Sequence, residues 1–197
     1  MPDMLPQRTR RSLLRAAGSA SVLAFMATSR SALASGLSEL ESQIRGLGLR
    51  LVGKGDLRFL GLKVYEARLF ALPQAEEATL LKGPLALELH YNLRFKGEDI
   101  ARRSLEEMEG LGLMDATQND RRLAELKALF PSVEAGDRLT GVYQPKAPSP
   151  FFFNGRSIGE IRDPEFAQKF FRIWLDPKTS EPKLRQSLIQ PLAKRAS

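Results

Sequence analysis

No cysteine occurs in the 197 residues. Disulfides, thiolate-held zinc, iron-sulfur clusters and a cysteine nucleophile are thereby excluded, and in an oxidising compartment the fold must rest on packing alone. Histidine is almost as scarce. His90 is the single one, flanked by Glu88 and Asn92 on the polar face of a predicted strand. A solvated surface role suits it, and Ser-His chemistry has no engine unless His90 serves. No serine stands in a Gly-x-Ser-x-Gly elbow, and no glycine-rich loop of phosphate-binding type precedes a helix, which disfavours nucleotide chemistry. No cofactor and no metal centre is expected. A long apolar run is missing too: residues 13–28 are broken by Gly18, Ser19 and Ser21 and rich in alanine, too weakly apolar for a stable membrane span.

That weak run is flanked by two informative features. Arg10 and Arg11 stand directly before it, and Ala32-Leu33-Ala34 follows as a small-x-small processing site. The order reads as a twin-arginine export signal over residues 1–34, a transient passage through the export machinery and a periplasmic working form of residues 35–197. The charge argument changes with it. Residues 1–34 hold five arginines and one acid, so the remainder keeps 25 basic and 22 acidic residues, a net of +3 rather than +7. Most of the apparent basicity is targeting, and no concentrated basic stripe suggests nucleic acid.

The 163 residues left suffice for one core, and a single domain is expected. Leu37, Leu40, Ile44 and Leu47 recur at helical spacing before glycines 46, 48 and 53 introduce an extended stretch. Residues 56–70 are apolar on both parities and predict one strand covered on both faces. Residues 85–95 alternate cleanly and predict a half-exposed antiparallel strand. Helices follow over 98–111 and 120–130, then a strand over 138–143 and a rigid exposed connection bearing Pro145, Pro148 and Pro150. Asn154-Gly155 between apolar runs signals a two-residue hairpin turn. Asp163-Pro164-Glu165 and Ser180-Glu181-Pro182 open two last helices. The order of elements predicts an α+β fold, a curved antiparallel sheet with helices packed on one face.

Few residues invite a chemical role. The acids Glu98, Asp99, Glu106, Glu107 and Glu109 crowd one helix, but Arg102 and Arg103 at helical spacing make it an ion-paired, solvated face. Arg58 is more informative, because it shares parity with Leu60, Leu62 and Val64. A guanidinium among apolar residues needs a partner, either a protein carboxylate such as Asp56 or Glu66 or a ligand's carboxylate or phenolate. Tyr65 is a second polar tip. On one strand it would face away from Arg58 unless a bulge at Gly61 intervened. Phe151-Phe152-Phe153 cannot all point inward, and Phe152 is expected to be covered by a helix of the same chain.

The runs Leu51-Val52-Gly53-Lys54-Gly55 and Gly61-Leu62-Lys63-Val64-Tyr65-Glu66-Ala67 resemble the opening strands of the chalcone isomerase-like superfamily. Phe95-Lys96-Gly97-Glu98-Asp99-Ile100 resembles the entry to its central helix, Phe130-Pro131 through Gly136-Asp137 its path into the next strand, and Phe153-Asn154-Gly155-Arg156 through Ser180-Glu181-Pro182 its closing hairpin and helices. The shared order carries the resemblance, most specifically to the bacterial exported branch. It implies an open-faced β-sandwich with a ligand cleft between sheet and helices. Plant enzymes of the superfamily close a flavanone ring with polar groups whose positions fall here at Leu60, Ile100 and Glu107, so that network is absent. Other members bind fatty acids without catalysis through an Arg and a Tyr, roles that Arg58 or Arg50 and Tyr65 would fill. The leading expectation is an exported, non-catalytic binder of an amphiphilic anion such as a fatty acid. An intramolecular lyase or isomerase, and an accessory protein docking through residues 145–153, are the alternatives.

Overall fold

The computed structural model describes residues 39–193. The segment expected to be an export signal, with Arg10, Arg11, Ala32 and Ala34, lies outside the described residues. Six strands form one antiparallel sheet whose spatial order follows the chain: β1 (Arg50–Phe59), β2 (Leu62–Ala71), β3 (Leu85–Tyr91), β4 (Arg138–Tyr143), β5 (Ser149–Phe153) and β6 (Arg156–Ile161). A helix over 39–46, α1, precedes them. The helices α2 (Gly97–Gly110) and α3 (Asn119–Leu129) separate β3 from β4, and α4 (Pro164–Leu175) and α5 (Pro182–Ala193) follow β6. The architecture is the α+β open sheet expected from the pattern of elements.

Local chemistry accounts for several boundaries. The Asp163 side chain accepts from the backbone N–H groups of Glu165 and Phe166, and Pro164 occupies the first turn, where its missing N–H costs nothing. Asn154 and Gly155 both have positive φ, 50° and 81°, as a two-residue hairpin turn requires. Pro150, expected in an exposed connection, instead lies within β5 opposite Glu160. The sheet interior on the helix-covered side is filled by aromatic residues. Phe151 of β5 packs edge-on against Phe170 of α4 and Phe130, and lies stacked on Phe171. Helix α5 lies directly on β1 because Gly53 presents no side chain. A Cβ there would sit 2.0 Å from the Leu188 carbonyl oxygen.

Three expectations about the strands are corrected. Residues 56–70 do not form one strand: Leu60 and Gly61, with φ of 48° and 81°, turn the chain into a hairpin, and Phe59 pairs with Leu62. The double-parity apolar pattern comes in large part from Phe59, Leu60 and Leu62, which the hairpin tip leaves exposed. Gly61, named as the place where a bulge would have to intervene, is part of the turn itself, and the irregularity falls between Leu57 and Arg58, where the partner strand steps from Tyr65 to Lys63 and leaves Val64 unopposed. The strand over 85–95 ends at Tyr91, and its second face is not open to solvent. There Leu40 of α1 joins Leu49, Ala86, Val142 and Phe152 in a small second core. Phe152 is covered by a helix of the same chain, as expected, and α1 therefore adds a helix on the face opposite α2, α4 and α5.

Candidate functional site

A cavity of about 330 Å³ opens between the sheet and helices α2 and α4. Its floor follows from register. Leu57, Tyr65 and Tyr91 are directly opposed across β1, β2 and β3, and Leu89 and Leu139 across β3 and β4. The bulge matters here. Val64 and Tyr65 are successive residues that an unbroken strand would send to opposite faces, yet both line the cavity. The roof comes from helical spacing, with Ile100, Arg103, Ser104 and Glu107 on one face of α2 and Phe170, Ile173 and Trp174 on one face of α4.

The walls are mainly apolar, and the polar groups fall into two sets. Deep in the site, the Trp174 Nε1–H donates to the Tyr65 hydroxyl at 3.0 Å. The Tyr65 oxygen thus receives a hydrogen bond while its own proton stays available. Tyr91 packs edge-on against Tyr65, with centroids 5.7 Å apart, and its hydroxyl has no hydrogen-bond partner among the described residues. Burial drives Tyr65 far above the ordinary phenol value; the Trp174 bond opposes this, and the carboxylates of Glu181 and Glu107 add to it. Burial does the same to Tyr91, with Tyr65 adding to it. Both phenols are therefore protonated donors.

At the mouth, Arg103 donates to Glu107, and the Ser180 hydroxyl donates to the other Glu107 oxygen at 2.7 Å. Glu181, one residue along, has a raised pKa through partial loss of solvent around its carboxyl and the nearby Glu107 charge, with Arg103 opposing. The Arg103 guanidinium is two-thirds exposed, and Asp99, Ser180 and Glu181 are exposed beside it. The mouth is charged and hydrogen-bonded, while the interior is mainly apolar and offers two O–H groups. That combination holds an apolar body and orients one acceptor oxygen.

Of the residues singled out from sequence, Tyr65 lies in the cavity wall. Arg58 does not line the cavity: it sits beside the β1–β2 turn, 60% exposed, with Asp56 at 3.5 Å, so the buried guanidinium inferred from parity is a surface one. Arg50 lies on the opposite face, in a separate pocket of about 360 Å³ with Arg68, Arg138 and α1. Leu60 is likewise outside the cavity, whereas Ile100 and Glu107 line it. His90 sits half-buried on the α1 side of the sheet, between Glu66 and Arg138 in the ladder. Three of the five α2 acids are ion-paired on that helix, Asp99 with Arg102 and Glu106 and Glu107 with Arg103. Reading all of them as a solvated face missed Glu107 and Arg103 at the cavity mouth. The available signal was their spacing from Ile100 on one helical face.

The sequence matches the family model described as chalcone isomerase-like over residues 37–190. An uncharacterized protein of Haemophilus influenzae is 30% identical over 106 residues, 54% of this chain, and the chain spans about half the length of that curated relative, 52%. Among solved structures, a fatty-acid binding protein of Arabidopsis thaliana superposes with a TM-score of 0.59 at 15% identity, covering 76% of this chain and 90% of that one. At that identity the likeness is one of fold. Six antiparallel strands in chain order, a cleft between sheet and helices, and a family match over most of the sequence agree: the chain belongs to the chalcone isomerase-like family.

Proposed function

We propose that this is an exported, periplasmic, non-catalytic binder of an amphiphile such as a fatty acid, left as residues 35–197 after processing at Ala34. The observation that carries the reading is the apolar cavity lined by two protonated tyrosine hydroxyls that donate to no partner among the described residues, Tyr91 with no hydrogen bond there and Tyr65 accepting one from Trp174. Apolar walls take the tail, and the phenols donate to a head-group oxygen. Arg103, held by Glu107 at the mouth, is the cation within reach of an anionic head and exchanges one carboxylate for another. A fatty-acid binding protein among the fold neighbours supports the ligand class.

Mass spectrometry of the gently purified protein should find a co-purified lipid, and a fluorescent fatty acid should bind and be displaced by unlabelled fatty acid. Tyr65→Phe and Arg103→Ala should each weaken binding about tenfold, the scale of one hydrogen bond to a charged group. Arg58→Ala should leave it unchanged. Protein that purifies empty and takes up no fatty acid would sink the proposal, and turnover of a chalcone panel that Arg103→Ala abolishes would replace it with catalysis. The docking alternative through residues 145–153 gains no support, because Phe151 and Phe152 are buried on opposite faces and Phe153 is half-buried against the main core.

A further inference from the structure

The β1–β2 hairpin ends in a patch that neither the fold nor the cavity explains. Phe59, Leu60 and Leu62 are 67%, 88% and 61% exposed. They are three of the four exposed large hydrophobic residues among the described residues, and they surround one turn. Leu60 also occupies the left-handed region, φ 48°, where Asn or Gly is favoured and a leucine is strained. A residue that is both strained and solvent-exposed contributes nothing to folding that Asn would not contribute better. Its apolar side chain is the one property left to account for it.

We propose that this tip is a membrane-docking element that inserts Phe59, Leu60 and Leu62 into the interfacial layer of a phospholipid bilayer. The shape fits that occupant. The patch is a convex protrusion two residues wide at its end, which a fluid bilayer accepts without a complementary surface. Charge fits as well. Lys54, Arg58 and Lys63 flank the tip against Asp56 and Glu66, leaving one cation in excess. Arg58, the residue next to Phe59, makes two long contacts of 3.5 Å, to Asp56 and to the Gly61 carbonyl oxygen, and its side chain stays 60% exposed. Placement fits last: Leu57 and Val64, at the base of the tip, line the cavity, so a docked hairpin sets the cavity beside the lipid surface. The inference does not depend on the ligand reading, since docking needs only the tip.

The experiment is sedimentation of the chain beginning at Ser35 with vesicles of phosphatidylethanolamine and phosphatidylglycerol, and with phosphatidylcholine alone, without added fatty acid. The protein should co-sediment with both, several-fold more with the anionic vesicles. Leu60→Asn, which suits the turn, should lower the bound fraction at least tenfold while circular dichroism stays unchanged, and Phe59→Ser should do the same. No binding to either vesicle, or binding by both variants equal to that of the parent, overturns the proposal. A concentration-dependent dimer that Leu60→Asn abolishes overturns it in favour of a second copy as the occupant.

Discussion

The molecule contains two hairpin turns of the same backbone geometry built from different residues. Leu60-Gly61 joins β1 to β2, and Asn154-Gly155 joins β5 to β6; the φ values agree within a few degrees. At the second turn the side chain belongs to the structure: the Arg138 N–H donates to the Asn154 Oδ1 at 2.8 Å, and the Asn154 Nδ2 donates to Asp137 at 2.8 Å. The arm behind it is buried, with Phe151 in the main core and Phe152 under α1. At the first turn the Leu60 side chain points into solvent, and the residues beside it are exposed. One turn is specified by local hydrogen bonding and stabilises the fold. The other is tolerated by the fold and presents apolar side chains outward.

The comparison is most easily broken at the arms. Phe152→Ala should cost about 3–5 kcal/mol in urea unfolding, since a buried aromatic and its packing are lost, whereas Phe59→Ala should stay within about 0.5 kcal/mol of the parent. A comparable loss at both would mean the β1–β2 tip is packed in solution. Exchanging the turns themselves gives smaller effects. Asn154→Leu removes two side-chain hydrogen bonds and forces a leucine into the left-handed region, for an expected loss of about 2–3 kcal/mol. Leu60→Asn should do the opposite and raise stability by about 0.5–1 kcal/mol, visible as a higher unfolding midpoint at unchanged slope. A destabilised Leu60→Asn protein would show that the leucine serves the fold.

The same contrast explains what could be read from sequence. Asn154-Gly155 is legible because asparagine announces positive φ, and Leu60-Gly61 is not, because leucine announces a strand. The parity argument that placed Arg58 among buried residues failed for that reason: with the turn unseen, Leu60, Leu62 and Val64 were counted as one face of one strand. The half-exposed reading of residues 85–95 had a different cause. Glu88 and His90 are polar, but Glu88 is covered by neighbouring structure and paired with Arg68, and neither is visible from alternation alone. Among the site residues, Tyr65 was legible as a polar tip in an apolar strand. Tyr91 shared the apolar face of its strand, where a tyrosine reads as packing, and its unpartnered hydroxyl emerges only once its surroundings are known.

The sequence by itself determined the α+β class, the capped start of α4 at Asp163, the β5–β6 turn and the exclusion of all thiol chemistry. Each depends on a residue type or on neighbours within a few positions, where backbone sterics and local hydrogen bonds decide the outcome. The tertiary structure decided where the cavity lies and what charges stand at its mouth. The Tyr65–Trp174 bond joins residues 109 apart, and the Glu107–Ser180 bond residues 73 apart. Such pairings are set by which helix packs on which strand, through non-directional apolar burial that many sequence spacings satisfy equally well.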